Sequence, residues 1–417
     1  MPEELTPKAR VAKAFAHEEP DRVPTFELAF STKLAREVLG DEAFFPRSGG
    51  LSLKKILLAN MEGRDARRAL IAAGTRTQVE LFMALGYDAT YLIPTEFLQP
   101  VCGSFGLFGS NYLFDVEIRE TAPDTWEVRQ GDMWSVYRYS ADSDTFCSVS
   151  DFLSTGGIPA LRRYVEALEA NDPGLNDYTR DALESTRLAV EMSRGGGLFI
   201  FGHGDICHPN DQAYLPLFLE AVALEPELVD RFFAVTTAGM LPLVEAQIEL
   251  GVDGILGATD WCFKSGPIMS PAMVRRFLVP HLKTIAELAH RHGLPFVQHL
   301  DGNTMQVLPM LLEEVGIDGY HAIEPTAGMD IGSLKRRYGR DLTLLGNLDC
   351  GDLLTNASPA QVAAATRRLI AEVAPGGGFV LASSNAIHDG IPRANLQAML
   401  ETARSYGTYP IRALEES

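Results

Sequence analysis

The sequence predicts a (β/α)8 barrel of the TIM type, and three observations predict it. Short apolar, β-branched runs alternate with long helical patterns from about residue 195 to the end; that alternation implies a parallel sheet with helices packed on it. Eight candidate strands can be read along the chain, a number that suits closure into a ring better than an open doubly wound sheet. A weak repeat, LGYDA at 85–89, LGVDG at 250–254 and VGIDG at 315–319, stands each time between a helix and a strand. Its glycine fits the left-handed position just past a helix end, and its aspartate leads into the next strand.

The elements follow in order. RVPTFELAF (22–30) is strand one, and a helical stretch from about 66 to 85 leads into strand two, DATYLIPTE (88–96). LFIFGHGD (198–205) is strand three, with a helical pattern from about 213 to 249 behind it. DGILGATDW (253–261) is strand four; the next helix opens at Ser270-Pro271, serine as cap and proline in the first turn. PFVQHLDGN (295–303) is strand five, followed by MQVLPMLLEEVG, and DGYHAIEP (318–325) is strand six, followed by DIGSLKRRYG. LTLLGNLD (342–349) is strand seven, with a helix opening at Ser358-Pro359, and GGFVLASSN (377–385) is strand eight, with PRANLQAMLETARSYG after it. Residues 1–417 are therefore expected to form one barrel domain. Its long interruption is 97–196, between strands two and three, where TWEVRQGDMWSVYRYS (125–140) alternates around Gln130-Gly131-Asp132 as a β-hairpin and 151–195 reads as partly helical. An insertion leaving the C-terminal end of a strand is placed to act as a lid over the barrel mouth.

Bulk composition excludes several classes. The formal net charge is -19, which argues against nucleic acid and anionic membrane as partners. No apolar run approaches the ~18 residues of a transmembrane helix, and MPEELTPKARVAKAFAHEEPDRVP has no signal-peptide core. Five cysteines without CxxC spacing read as free thiols in the cytoplasm. No nucleotide cofactor is expected: the glycine triplets at 195–197 and 376–378 precede strands, GSFGLFG (103–109) has the wrong spacing, and GxxxxGK[ST] is absent.

In such barrels the reactive groups stand at the C-terminal strand ends. Those ends carry Glu27; Glu96; His203, Asp205, Cys207 and His208; Asp260 and Trp261; His299, Asp301 and Asn303; His321 and Glu324; Asn347 and Asp349; and Ser383, Ser384 and Asn385. Any one of them could cap a loop, whereas polar groups at all eight ends point to a small-molecule site. The strand period of two puts His299 and Asp301 on one face. The HGDICH segment (203–208) matches no strong metal signature.

In LLGNLDCGDLL (344–354), HLDGN (299–303), FIFGHGD (199–205) followed by LEPELVDRFF (224–233), and SSNAIHDGIPRANL (383–396), the chain resembles the uroporphyrinogen decarboxylase superfamily. The resemblance implies a (β/α)8 barrel, a homodimer and one of two activities: cofactor-free decarboxylation of porphyrinogen acetates, or zinc-dependent methyl transfer between a corrinoid protein and a thiol. The decarboxylases carry an arginine-rich stretch after strand one, where this chain has TFELAFSTKLARE with Glu27. Their acidic residue at strand two is matched by Glu96, and their histidine near strand eight is replaced by Asn385. The methyltransferases hold zinc through a His-x-Cys at strand five and a cysteine at strand eight. His299 matches the histidine, Asp301 stands at the first cysteine and Asn385 at the second. Such a set is harder than a thiolate one and suits a hydroxyl, amine or folate-type acceptor better than a thiol.

The expectation is methyl transfer in a corrinoid-dependent demethylation system, with His299, Asp301, Glu96 and Glu324 catalytic. His299 serves as metal ligand or general base, and Asp301 orients it or shares the metal. Glu324 or His203 completes a zinc site, unless the site is metal-free. Glu27, His203, Asp205, Asp260, Trp261, Asn303, Asn347 and Asn385 are expected to bind substrate, Asn347 and Asn385 as donors to its oxygen. Two other readings stand beside it: a metal-free decarboxylase or lyase using Glu96 and His299 on a small or porphyrinogen-like acid, and a non-catalytic binding protein.

Overall fold

Eight parallel strands close into a ring in the computed structural model of this chain, which describes residues 4–46, 48–98, 116–171, 173–207 and 214–412. The strands are Phe26–Glu27, Ala89–Tyr91, Phe199–His203, Gly254–Gly257, Phe296–Leu300, Gly319–Ala322, Thr343–Leu348 and Phe379–Ser383, hereafter strands one to eight, each paired with the next. Strand eight meets strand one through a parallel bridge between Thr25 and Leu381, whose N–H donates to the Pro24 carbonyl at 2.9 Å. Strand one is shorter than expected, since Pro24 brings no N–H to the ladder.

Alternate side chains fill the ring. Phe26, Leu28, Tyr91, Phe201, Leu256, Val297, Leu345 and Val380 form one interior cluster. Each such side chain contributes about 1.5–3 kcal/mol on burial. The helix Pro7–Phe15, opened by the Thr6 hydroxyl accepting from the Ala9 N–H, adds Val11 and Ala14 to this cluster. Its Phe15 stacks on Phe199 at 6.1 Å, and the Thr343 hydroxyl donates to the Ala14 carbonyl. The helix thus plugs the N-terminal end and leaves the C-terminal end as the mouth.

The internal repeat has a physical task at the plugged end. Gly86, Gly251 and Gly316 end their helices at φ of 71°, 96° and 83°. The aspartates two positions on then accept backbone N–H groups of the preceding strand's segment: Asp88 from Thr25 at 2.9 Å, Asp253 from Ile200 at 3.0 Å and Asp318 from Phe296 at 2.7 Å. Each aspartate therefore joins an even-numbered strand to the odd one before it. Asp88, fully buried, is also held by Arg10 and Arg22 at 2.6 and 2.7 Å.

Other elements depart from expectation in instructive ways. The helical pattern from 213 is two helices, Leu215–Leu224 and Pro226–Leu250, because Pro226 starts a new first turn. Two helices, Thr32–Leu39 and Gly49–Glu62, precede the long Arg64–Leu85. The expected hairpin forms, with Gln130 paired to Met133 across Gly131 at φ 57°. It is the middle of a four-stranded antiparallel sheet completed by Glu117–Ala122 and Thr145–Asp151. That sheet packs Trp126, Val128 and Tyr137 against Leu57 of the helix Gly49–Glu62. Helices Phe152–Glu169, Asp177–Ala182 and Glu184–Met192 return the chain to strand three. No helix among the described residues is long and apolar enough to cross a membrane.

Candidate active site and metal centre

Strand five carries the centre. Val297 lies in the interior cluster, so the period of two continues that face upward through His299 to Asp301. His299 is 2 % exposed. Its Nε2 lies 3.7 Å from a carboxylate oxygen of Asp301 and 3.7 Å from one of Asp260, which comes from the loop after strand four. The three ligand atoms all lie within 4.8 Å of one another. Asp260 is held by the Asp301 N–H, which donates to its Oδ1 at 2.9 Å.

The far side of the imidazole is fixed by strand six. His299 and His321 are cross-strand partners, and their Nδ1 atoms are 2.7 Å apart. His321 Nε2 lies 3.2 Å from the Ser383 carbonyl, which can only accept. Burial, reinforced by His299 alongside, pushes the His321 pKa well below the ordinary range. Neutral His321 thus carries its proton on Nε2 and accepts at Nδ1, so His299 donates from Nδ1. His299 Nε2 is thereby left facing the two carboxylates.

Burial first, then the neighbouring Asp260 and Glu324, raise the Asp301 carboxyl against the pull of His299, to about 6. Its Oδ2 accepts from the Asn385 amide, while the buried Oδ1 has no hydrogen-bond partner. An orphaned carboxylate oxygen, a second carboxylate and a presented imidazole nitrogen make a donor set that a divalent cation fits. This assigns Asp260, rather than Glu324 or His203, as the third group beside His299 and Asp301 among the described residues.

The other expected site residues have the following places. Asn385 reaches the cluster as a donor to Asp301. Glu324 stands next to it, its Oε2 accepting the Gly302 N–H at 3.0 Å and its Oε1 near Lys264 at 3.6 Å. Asp205 is buried one shell below. It accepts the N–H groups of Ile206 and Thr259 at 2.7 and 2.6 Å, which fixes the loop bearing Asp260, and burial raises it to about 7. His203 Nδ1 pairs with the Tyr91 hydroxyl at 2.6 Å. Asn303 and Asn347 donate to the carbonyls of Ala327 and Ile323 at 3.0 and 2.9 Å, which ties down their own loops. Trp261 is buried in the outer core, and Glu96 is buried on the turn Pro94–Leu98. Glu27 is fully buried and accepts from the Ser383 hydroxyl at 2.7 Å and the Leu28 N–H at 3.1 Å. It joins strand one to strand eight and is not brought to the cluster. His208 lies outside the described residues.

The sequence put Asp260 among the substrate-binding residues and gave His321 and Ser383 no task; the structure brings Asp260 beside His299 and Asp301. The missing signal was register. Once strands five and six pair in parallel with His299 opposite His321, an interior histidine pair follows.

Comparison with known proteins agrees with this architecture. A family model described as uroporphyrinogen decarboxylase (URO-D) matches residues 215–406. The chain is 26% identical over 185 residues to a uroporphyrinogen decarboxylase of Azoarcus sp. (strain BH72), covering 43% of this chain and 49% of that protein. It is 24% identical over 209 residues to that of Coxiella burnetii (strain RSA 493 / Nine Mile phase I), covering 48% and 54%. The matched stretch spans about half the length of these relatives. Among solved structures, a methyltransferase from Methanosarcina mazei superposes with a TM-score of 0.62 at 20% identity, over 97% of this chain and 99% of that one. At that identity the likeness is one of fold.

Proposed function

The chain belongs to the uroporphyrinogen decarboxylase superfamily, and from that premise we propose that it is a methyltransferase of a corrinoid-dependent demethylation system. The observation that carries this reading is the Asp260–His299–Asp301 cluster, with His299 Nε2 3.7 Å from an oxygen of each carboxylate. His299, Asp260 and Asp301 would hold a divalent cation such as zinc. When bound, it supplies Lewis acidity that activates a coordinated acceptor at neutral pH. Without thiolates the set is hard, so the methyl acceptor is an oxygen or nitrogen nucleophile rather than a thiol. Asn385 holds Asp301, Asp205 holds the loop of Asp260, and Glu324 adds negative charge beside them. A corrinoid protein would supply or take the methyl group in the cytoplasm.

The test combines metal analysis with turnover. Purified protein loaded with zinc should retain about one ion per chain. It should also demethylate methylcobalamin with hydroxyl or amine acceptors, followed by the visible spectrum. Both properties should disappear in His299→Ala with folding intact. Equal turnover by metal-stripped protein would overturn the proposal. A carboxy-lyase reading is favoured by the names of the curated relatives, and release of CO2 from a porphyrinogen or small acid would replace the methyl-transfer reading with it.

A further inference from the structure

Behind His299 runs a hydrogen-bond chain that crosses four strands. Glu27 of strand one accepts from the Ser383 hydroxyl at 2.7 Å and from its N–H at 3.3 Å. The Ser383 carbonyl of strand eight faces His321 Nε2 at 3.2 Å, and His321 Nδ1 of strand six faces His299 Nδ1 at 2.7 Å. His321 is fully buried. Its ring lies edge-on to Phe26 at 5.4 Å and 88°, and it also meets His299 and the Ser383 carbonyl. Among the described residues no carboxylate touches the ring, so no anion there compensates a charge on it. The carbonyl has no proton to give, which leaves one assignment: N–H at His321 Nε2, a lone pair at His321 Nδ1 and N–H at His299 Nδ1. The same proton positions hold whether His299 Nε2 is free, protonated or ligating.

We infer that His321 is a positioning residue that locks the tautomer of His299 and so reserves Nε2 for the cation or proton at the barrel mouth. This rests on the metal reading for its consequence and on the hydrogen-bond chain for its geometry. Metal-ligating histidines ordinarily give their second N–H to a carboxylate or a carbonyl. Here the receiver is a neutral imidazole backed by a carbonyl, which fixes the ring without adding negative charge. Among the described residues, the carboxylates beside His299 are then Asp260 and Asp301 at the mouth.

The experiment uses the full chain with zinc as the probe. His321→Phe keeps a ring of similar size and removes both nitrogens, while His321→Gln retains an acceptor for His299 and a donor for Ser383. Zinc affinity is measured by competition with a chromophoric chelator. The tautomer is read from 15N-histidine correlation spectra of the metal-stripped protein. His299 should be the Nδ1–H form in the native chain and shift toward Nε2–H in His321→Phe. That variant should bind zinc about 10- to 100-fold more weakly, and His321→Gln should recover most of the loss. Unchanged affinity and tautomer in a folded His321→Phe would overturn the inference while leaving the metal reading intact. Absence of zinc binding by the native chain, with His299 still Nδ1–H, would sink the metal reading and leave the tautomer lock standing. If His321→Phe does not fold, the native spectrum decides alone, and an Nε2–H signal for His299 refutes the lock.

Discussion

Replacing Glu27 by glutamine should remove a pH dependence of stability built into the seam between strands one and eight. Burial pushes this carboxyl up to about 8 from an ordinary 4.5, against the pull of its hydrogen bonds from Ser383 and Leu28. Between those two values the folded chain holds a proton that the unfolded chain has released, so raising the pH favours unfolding. The contribution is complete below about pH 4.5 and is lost as the pH rises through about 8. At about 1.4 kcal/mol per pH unit this amounts to on the order of 5 kcal/mol. Glutamine cannot ionise, but its NH2 group meets the Ser383 N–H that Glu27 now accepts. That leaves a buried donor unsatisfied, at about 1–3 kcal/mol. The variant should therefore be less stable than the native chain at pH 5, and the two curves should cross near roughly pH 6. Urea midpoints from pH 5 to 9 measure this, and the difference between the two proteins isolates Glu27 from Asp205, whose raised carboxyl acts in the same direction. Parallel curves for the two proteins would refute the reasoning.

Three further outcomes are expected. Asp318→Ala removes the acceptor of the Phe296 N–H and the partner of His290, and should cost about 1–3 kcal/mol in urea unfolding. Asn385→Ala strips the amide donor from Asp301, and should weaken zinc binding about tenfold in chelator competition without lowering the melting temperature. Asp205→Asn keeps an acceptor for only one of the Ile206 and Thr259 N–H groups. It should loosen the loop of Asp260, read as faster zinc release than in the native chain.

The barrel was legible because its signals are local. Each strand is a short apolar run, and Gly-Asp pairs mark where three helices end and strands begin. His299 and Asp301 were legible as a pair because the strand period is exact enough over three residues to place both on one face. What could not be read depends on pairing or on loops. Asp260 joins the cluster from irregular chain after strand four, where no period applies. His321 supports His299 only through the register between strands five and six. Asn385 was read as a donor to a substrate oxygen, and its contact with Asp301 depends on how strands five and eight face each other across the ring. In the insertion, EIRETA and TFCSVSD are mostly solvent-facing strands without a clear apolar alternation, so only the central hairpin could be seen.

X-ray absorption at the zinc edge, with a crystal structure of the zinc-loaded chain, decides whether the cluster at the mouth holds a cation. One ion should be found ligated by His299 Nε2 and by oxygens of Asp260 and Asp301, at about 2.0–2.2 Å. A cluster that stays empty under zinc sufficient to load the protein, or an ion held elsewhere or through His299 Nδ1, would contradict it.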